Sequence, residues 1–96
     1  MKKAEKEYQQ RLRDLGCVVC RVYLGVFTIP SIHHIRPMGA RNVSEFDVLP
    51  LCYHHHQGVL GFHSEPELFA REFGSEEELR CEVQSLLEVS HGRGKL

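Results

Sequence analysis

The sequence predicts a small α+β domain stapled by a metal ion, with one helix at the N-terminal end, two at the C-terminal end and short extended pieces between. Three observations predict it. Seven histidines and four cysteines in 96 residues exceed what ordinary packing needs. They gather in the runs Cys17-Val-Val-Cys20 and Cys52-Tyr-His-His55-His56, with the pair His33-His34 in the stretch between them. A chain of this length buries only about 60–65% of its unfolded surface and is marginal without a staple.

The elements follow in order. Ala4, Tyr8, Leu12 and Leu15 share one face of a helix over 4–15, and Gly16 is its natural stop. The Cys17–Cys20 turn comes next. Residues 21–35 are rich in β-formers, broken by Gly25 and Pro30, and read as irregular extended chain ending in a strand that carries His33 and His34. Pro37, Gly39, Asn42 and Ser44 mark a loop over 36–46. Residues 46–51 are a second extended piece running into Cys52, and a short helix starts near His54 and stops by Gly58 or Gly61.

Ser64-Glu-Pro-Glu67 and Ser75-Glu-Glu-Glu78 both have capping-box spacing and open the last two helices, with Gly74 between them. Leu68, Phe69 and Phe73 are the apolar side of the first. Leu79, Val83, Leu86 and Leu87 are the stripe of the second, where Cys81 reads as a buried small hydrophobe. One domain is expected over 1–90, with a flexible tail over 91–96.

The net charge of −1 does not describe a strongly basic nucleic-acid binder, but the charge is unevenly spread. Residues 1–48 hold eight Lys/Arg against five Asp/Glu, and residues 49–96 hold four against eight. Phosphate contacts would come from the basic half, where Arg36 and Arg41 sit just past the histidine pair. No apolar stretch approaches the ~18–20 residues of a membrane span, and the charged N-terminus lacks a signal-peptide pattern. The chain is expected in the cytoplasm, where a C-x2-C pair reads as metal-binding or redox-active rather than as a disulfide.

A C-x2-C turn aims two thiolates at one ion. Cys52 and His55 have the same i, i+3 spacing, so the sum is a closed Cys3His zinc site. A redox C-x2-C is the other reading of the first pair, and it lacks the strand–helix context of such motifs. His54 is an alternative fourth ligand. Adjacent histidines on a strand point to opposite faces, so His33 and His34 invite two different roles, one as a ligand and one as a base.

With Cys17-Val-Val-Cys20, Ile32-His-His-Ile-Arg-Pro37, Leu49-Pro-Leu-Cys52, His55-His-Gln-Gly58 and Gly61-Phe-His63 in this order, the chain resembles the HNH (ββα-metal) endonucleases that carry an embedded zinc knuckle. It is most similar to the phage recombination-enhancement (Ref-type) RecA-dependent nucleases, over roughly residues 12–87. The resemblance implies a ββα-metal (HNH) core and metal-dependent hydrolysis of DNA phosphodiester bonds during phage recombination in a bacterial host, with DNA and a RecA filament as partners. It implies His34 as general base and His33 and His56 as ligands of a catalytic metal, with His63 a third. Asp47 stands where the family has its middle Asn, and Asn42 is a second candidate for that position. The cofactors implied are structural Zn2+ and a second divalent ion, one of Mg2+, Mn2+, Ni2+ or Zn2+. The competing reading is a non-catalytic zinc-binding module that docks on DNA or a recombination protein; it has no use for His33, His34, His56 and His63.

Overall fold

A computed structural model of the chain describes residues 1–36, 43–58 and 61–94, the last five of these as backbone only. The chain forms α1 (Lys3–Leu15), a helical turn over Cys20–Leu24, β1 (Ser31–His34), β2 (Val48–Leu51), α2 (Tyr53–His56), α3 (Pro66–Phe73) and α4 (Glu76–Gly94). This is the expected α+β arrangement of a two-stranded sheet flanked by helices.

In α1, Leu12 and Leu15 are buried and Tyr8 packs half-buried against them, whereas Ala4 at the fraying end is exposed. Gly16 stops the helix: its N–H bonds to the Leu12 carbonyl at 3.1 Å, and its φ of 89° is a conformation that side chains resist. That reversal delivers Cys17, whose N–H donates to the Thr28 carbonyl.

Beyond Cys20 the structure departs from the extended reading. Residues 20–24 form a wide π-type turn that ends at Gly25, where φ is 67°. The cause is local. The curl around the cysteine pair already sets a helical bond from the Arg21 N–H to the Cys17 carbonyl, and the turn simply continues it. Val22, Tyr23 and Leu24 are exposed, so no pleated surface rewards their β preference.

β1 and β2 pair antiparallel, with Ser31 opposite Leu51 and His34 opposite Val48. All four residues of β2 are buried, between α1 and α4. The core joins Leu12, Leu15, Val48, Leu49 and Leu51 to Phe69, Leu79, Val83 and Leu87.

Of the two expected capping boxes, one forms. Glu78 N–H donates to Ser75 Oγ and Ser75 N–H donates to Glu78 Oε1, both at 3.1 Å, at the start of α4. Ser64 instead donates to the Gln57 carbonyl, and α3 begins at Pro66 without a side-chain cap. Cys81 is exposed, a correction to its placement on the apolar stripe: the stripe is Leu79, Val83 and Leu87, and Cys81 falls off it. The backbone of α4 is helical through Gly94, inside the stretch expected as a tail, and residues 95–96 lie outside the described residues. No helix among the described residues is long and apolar enough to cross a membrane.

Gly16→Ala is expected to cost about 1–3 kcal/mol, because it combines a positive φ with a Cβ only 2.7 Å from the Phe27 ring. A urea unfolding midpoint equal to that of the wild type would contradict this.

Candidate metal centre

Cys17, Cys20, Cys52 and His55 meet in one buried cluster. The reversal at Gly16 brings in Cys17, the turn after it brings in Cys20, and the end of β2 brings in Cys52. One turn of α2 then places His55 under Cys52. Cys20 Sγ lies 3.9 Å from Cys52 Sγ, and His55 Nδ1 lies 3.6, 3.6 and 3.2 Å from Cys17, Cys20 and Cys52. Two thiolates at the ~2.3 Å zinc bond length lie about 3.8 Å apart on a tetrahedron, so the four donors fit one zinc ion. His54 is exposed and outside the cluster, so His55 is the imidazole brought to the sulfurs.

Burial pushes the Cys17 thiol up to about 12, against the opposing backbone N–H groups of Cys52 and Cys20. Cys52 moves the other way. Its burial acts upward, but the His55 N–H and the contacts with Cys17, Cys20 and Thr28 outweigh it. Three sulfurs this close and this dry cannot all ionise without a cation among them.

The second cluster is His33, His56 and His63. His33 lies on β1 and is buried; His56 is the last residue of α2. His63 is folded back onto α2 by two backbone bonds, Phe62 N–H to the His55 carbonyl at 2.9 Å and His63 N–H to the His56 carbonyl at 3.0 Å. The reversal needs Gly61, where a Cβ would lie 2.8 Å from the backbone nitrogens of Gln57 and Gly58.

His56 Nε2 lies 3.2 Å from His33 Nδ1 and 3.0 Å from His63 Nε2. The outer nitrogens fix the tautomers. His33 Nε2 donates to Glu76 Oε2 at 2.8 Å. His56 Nδ1 donates to Ser31 Oγ at 2.9 Å, because that hydroxyl gives its own proton to the Leu51 carbonyl. His33 Nδ1 and His56 Nε2 therefore turn lone pairs toward each other, an arrangement that a shared cation would satisfy. Burial pushes His33 down, with the Glu76 hydrogen bond opposing it. His56 is pushed down to about 4 by burial, then by His33 and His63.

An open cavity of about 310 Å³ gives access to this cluster. Its walls carry His33, His34, His56 and His63 with Arg36 and Glu76, over a floor of Ile32 and Phe62. His34 points away from the His33 cluster toward Glu45, with Nε2 3.0 Å from Oε1. Hydrogen bonds from His34, then from Gln9, hold the Glu45 carboxyl below its usual range.

Arg36 is exposed on the rim, and Arg41 and Asn42 lie outside the described residues. Asp47 is not drawn to the histidines: its carboxylate pairs with Arg80 at 2.7 Å, and its carbonyl accepts the Ile35 N–H at the end of the sheet. Glu45 and Ser31 stand in no motif and Glu76 reads only as part of a helix cap, so sequence reasoning did not find them as partners of the histidines.

A family model described as recombination enhancement, RecA-dependent nuclease matches residues 2–86. The chain belongs to that family. The match takes in both clusters, the cavity beside the histidines and the first half of α4. No curated protein and no solved structure matches the chain. The cavity beside His33, His56 and His63 has the open side that the buried cysteine cluster lacks.

Cys52→Ser is expected to remove one zinc per chain and unfold the domain, since structural zinc contributes on the order of 10 kcal/mol or more. Unchanged zinc content and helical circular dichroism would overturn the staple. In protein with no ion at the second cluster, His56 is expected to stay neutral well below pH 6.5, since its folded value lies below its unfolded one. The fold accordingly loses stability as the pH falls from 6.5, where the unfolded chain takes up the proton, and the loss is complete once the pH has passed through about 4, where the folded chain takes it up too. An NMR titration of the ring with a midpoint near 6.5 would contradict this.

Proposed function

We propose that this chain is a metal-dependent DNA endonuclease of the HNH type, acting in recombination on DNA engaged by RecA. The observation that carries the reading is the set of three convergent imidazoles, His33, His56 and His63, in an open cavity that also holds His34. The order β1, β2, α2 with a histidine pair on the first strand and a histidine closing the helix supports the ββα-metal assignment. Cys17, Cys20, Cys52 and His55 are the structural zinc ligands on this reading.

His33, His56 and His63 would hold a divalent ion, whose chemistry is to neutralise charge on the scissile phosphate and on the leaving 3′ oxygen. His34 takes the proton from the attacking water. Histidine suits that task because an ordinary imidazole is mostly neutral at physiological pH. Arg36, on the rim, pairs with a phosphate oxygen and sets the register of the backbone in the cavity. Arg41, in the same basic half of the sequence, is a second candidate for binding phosphate. Asp47 braces the end of the sheet through Ile35 and Arg80 and so keeps the β1–β2 connection in place. On this reading the described groups facing the cavity contact the sugar-phosphate backbone.

His34→Ala is expected to lower cleavage of RecA-coated DNA by about 100-fold or more while leaving zinc content and thermal unfolding unchanged. Cleavage at the wild-type rate would refute the base assignment. Loss of cleavage together with loss of fold would show that His34 supports the structure instead.

A further inference from the structure

Three polar side chains among the described residues are buried: Gln9, His33 and His55. The two histidines belong to the metal clusters. Gln9 belongs to neither, and it lies on the face of α1 that packs inward, so its burial has to be explained by what it holds.

Gln9 holds Glu45. Its Nε2 donates to the Glu45 carbonyl at 2.8 Å and to Glu45 Oε1 at 3.1 Å. One side chain thus fixes both the backbone and the carboxylate of a residue 36 positions away, in the segment just before β2. The same oxygen, Glu45 Oε1, accepts from His34 Nε2 at 3.0 Å.

We propose that Glu45, clamped by Gln9, is the positioning residue for His34. The inference rests on the reading of His34 as the base. An ionised carboxylate only accepts, so the histidine nitrogen facing it must carry the proton. His34 is thereby fixed as the Nε2–H tautomer, and its Nδ1, which meets no partner among the described residues, carries the lone pair that takes a proton. When it does so, the imidazolium already faces the Glu45 carboxylate and need not turn to find it.

A half-exposed His–Glu pair alone would contribute little, because both side chains would remain free to turn. Gln9 removes that freedom. It reaches the carboxylate from inside the protein and from a different element, so Glu45 is held from α1 while it holds a side chain of β1. The N-terminal helix is thereby tied to the chemistry through two hydrogen-bonded side chains and no metal.

The test compares the full chain with Glu45→Ala, Glu45→Gln, Gln9→Ala and His34→Ala. Cleavage of RecA-coated DNA is measured as kcat and KM, and the ring nitrogens of His34 are followed by 15N-edited NMR. Glu45→Ala is expected to lower kcat about 10- to 100-fold with KM within about twofold. It is also expected to abolish the hydrogen-bonded His34 Nε2–H resonance. Glu45→Gln, which keeps the size and an acceptor oxygen, is expected to recover part of kcat and to fold as the wild type does. Gln9→Ala is expected to shift kcat the same way by less. A Glu45→Ala protein that keeps either the wild-type kcat or the protected Nε2–H resonance overturns the proposal. Undiminished cleavage by His34→Ala sinks the base assignment; an inactive His34→Ala beside a fully active Glu45→Ala sinks the positioning alone.

Discussion

The contact between two thiolates from a turn near residue 20 and a thiolate and an imidazole from the start of α2 decides where almost everything else can sit. Thirty-one residues lie between Cys20 and Cys52, and they contain β1, the loop and β2. Closing a loop of that size costs roughly 3–4 kcal/mol of chain entropy, and a two-stranded sheet cannot supply that alone. A zinc site worth on the order of 10 kcal/mol offsets it with a margin. The closure also sets the position of β2, since Leu51 is the last residue of the strand and Cys52 the first donor beyond it. Once β2 is placed, α1 and α4 close over it and the apolar core is complete.

Two adjacent-histidine pairs are then divided by the geometry of the elements they occupy. On β1 the side chains alternate, so His33 turns in toward His56 and His63 while His34 turns toward Glu45. On α2 successive residues differ by about 100°, so His55 faces the sulfurs while His56 faces the cavity. Each division needs only the regular periodicity of a strand or a helix. The same short helix therefore delivers one imidazole to a sealed cluster and the next to an open one. The partners at the outer nitrogens, Glu76 for His33 and Ser31 for His56, set the direction in which the inner nitrogens point.

The cysteine cluster and the histidine spacing were legible in the sequence because they depend on local intervals: two residues between Cys17 and Cys20, two between Cys52 and His55. The helix ends were legible where they rest on a local signal, as with Gly16 and the Ser75–Glu78 box. What was not legible depends on contacts across the chain. Glu76 reaches His33 over 43 positions, and Gln9 reaches Glu45 over 36. Neither residue stands in a metal-ligand pattern. A glutamine between Tyr8 and Leu12 looks like an ordinary helix surface, and a glutamate in Ser-Glu-Glu-Glu looks like part of a cap. The turn at 20–24 departs from the extended reading because β-propensity describes a side chain packed on a sheet, and Val22, Tyr23 and Leu24 face water. Ser64 failed as a cap for a related reason: the carbonyl of Gln57, left free where α2 ends, took its hydroxyl first.

The chemical difference between the two clusters follows from the number of protein donors and from access. Four buried donors, three of them sulfur, complete a tetrahedron and leave no position for water, which suits a site that only holds the chain together. Three imidazoles at the wall of a cavity leave positions open, and an ion held by them would meet whatever enters. Nitrogen and sulfur donors also differ in what they retain: thiolates hold zinc strongly, while neutral imidazoles accept several divalent metals. One backbone step separates His55 from His56, so the closed site stiffens the base of the open one without sharing a ligand with it. On the proposed reading, this is how a domain of 96 residues keeps a reactive, solvent-reached centre in register. The sealed cluster supplies the rigidity that the small core cannot, and the open cluster is left free to exchange water and phosphate.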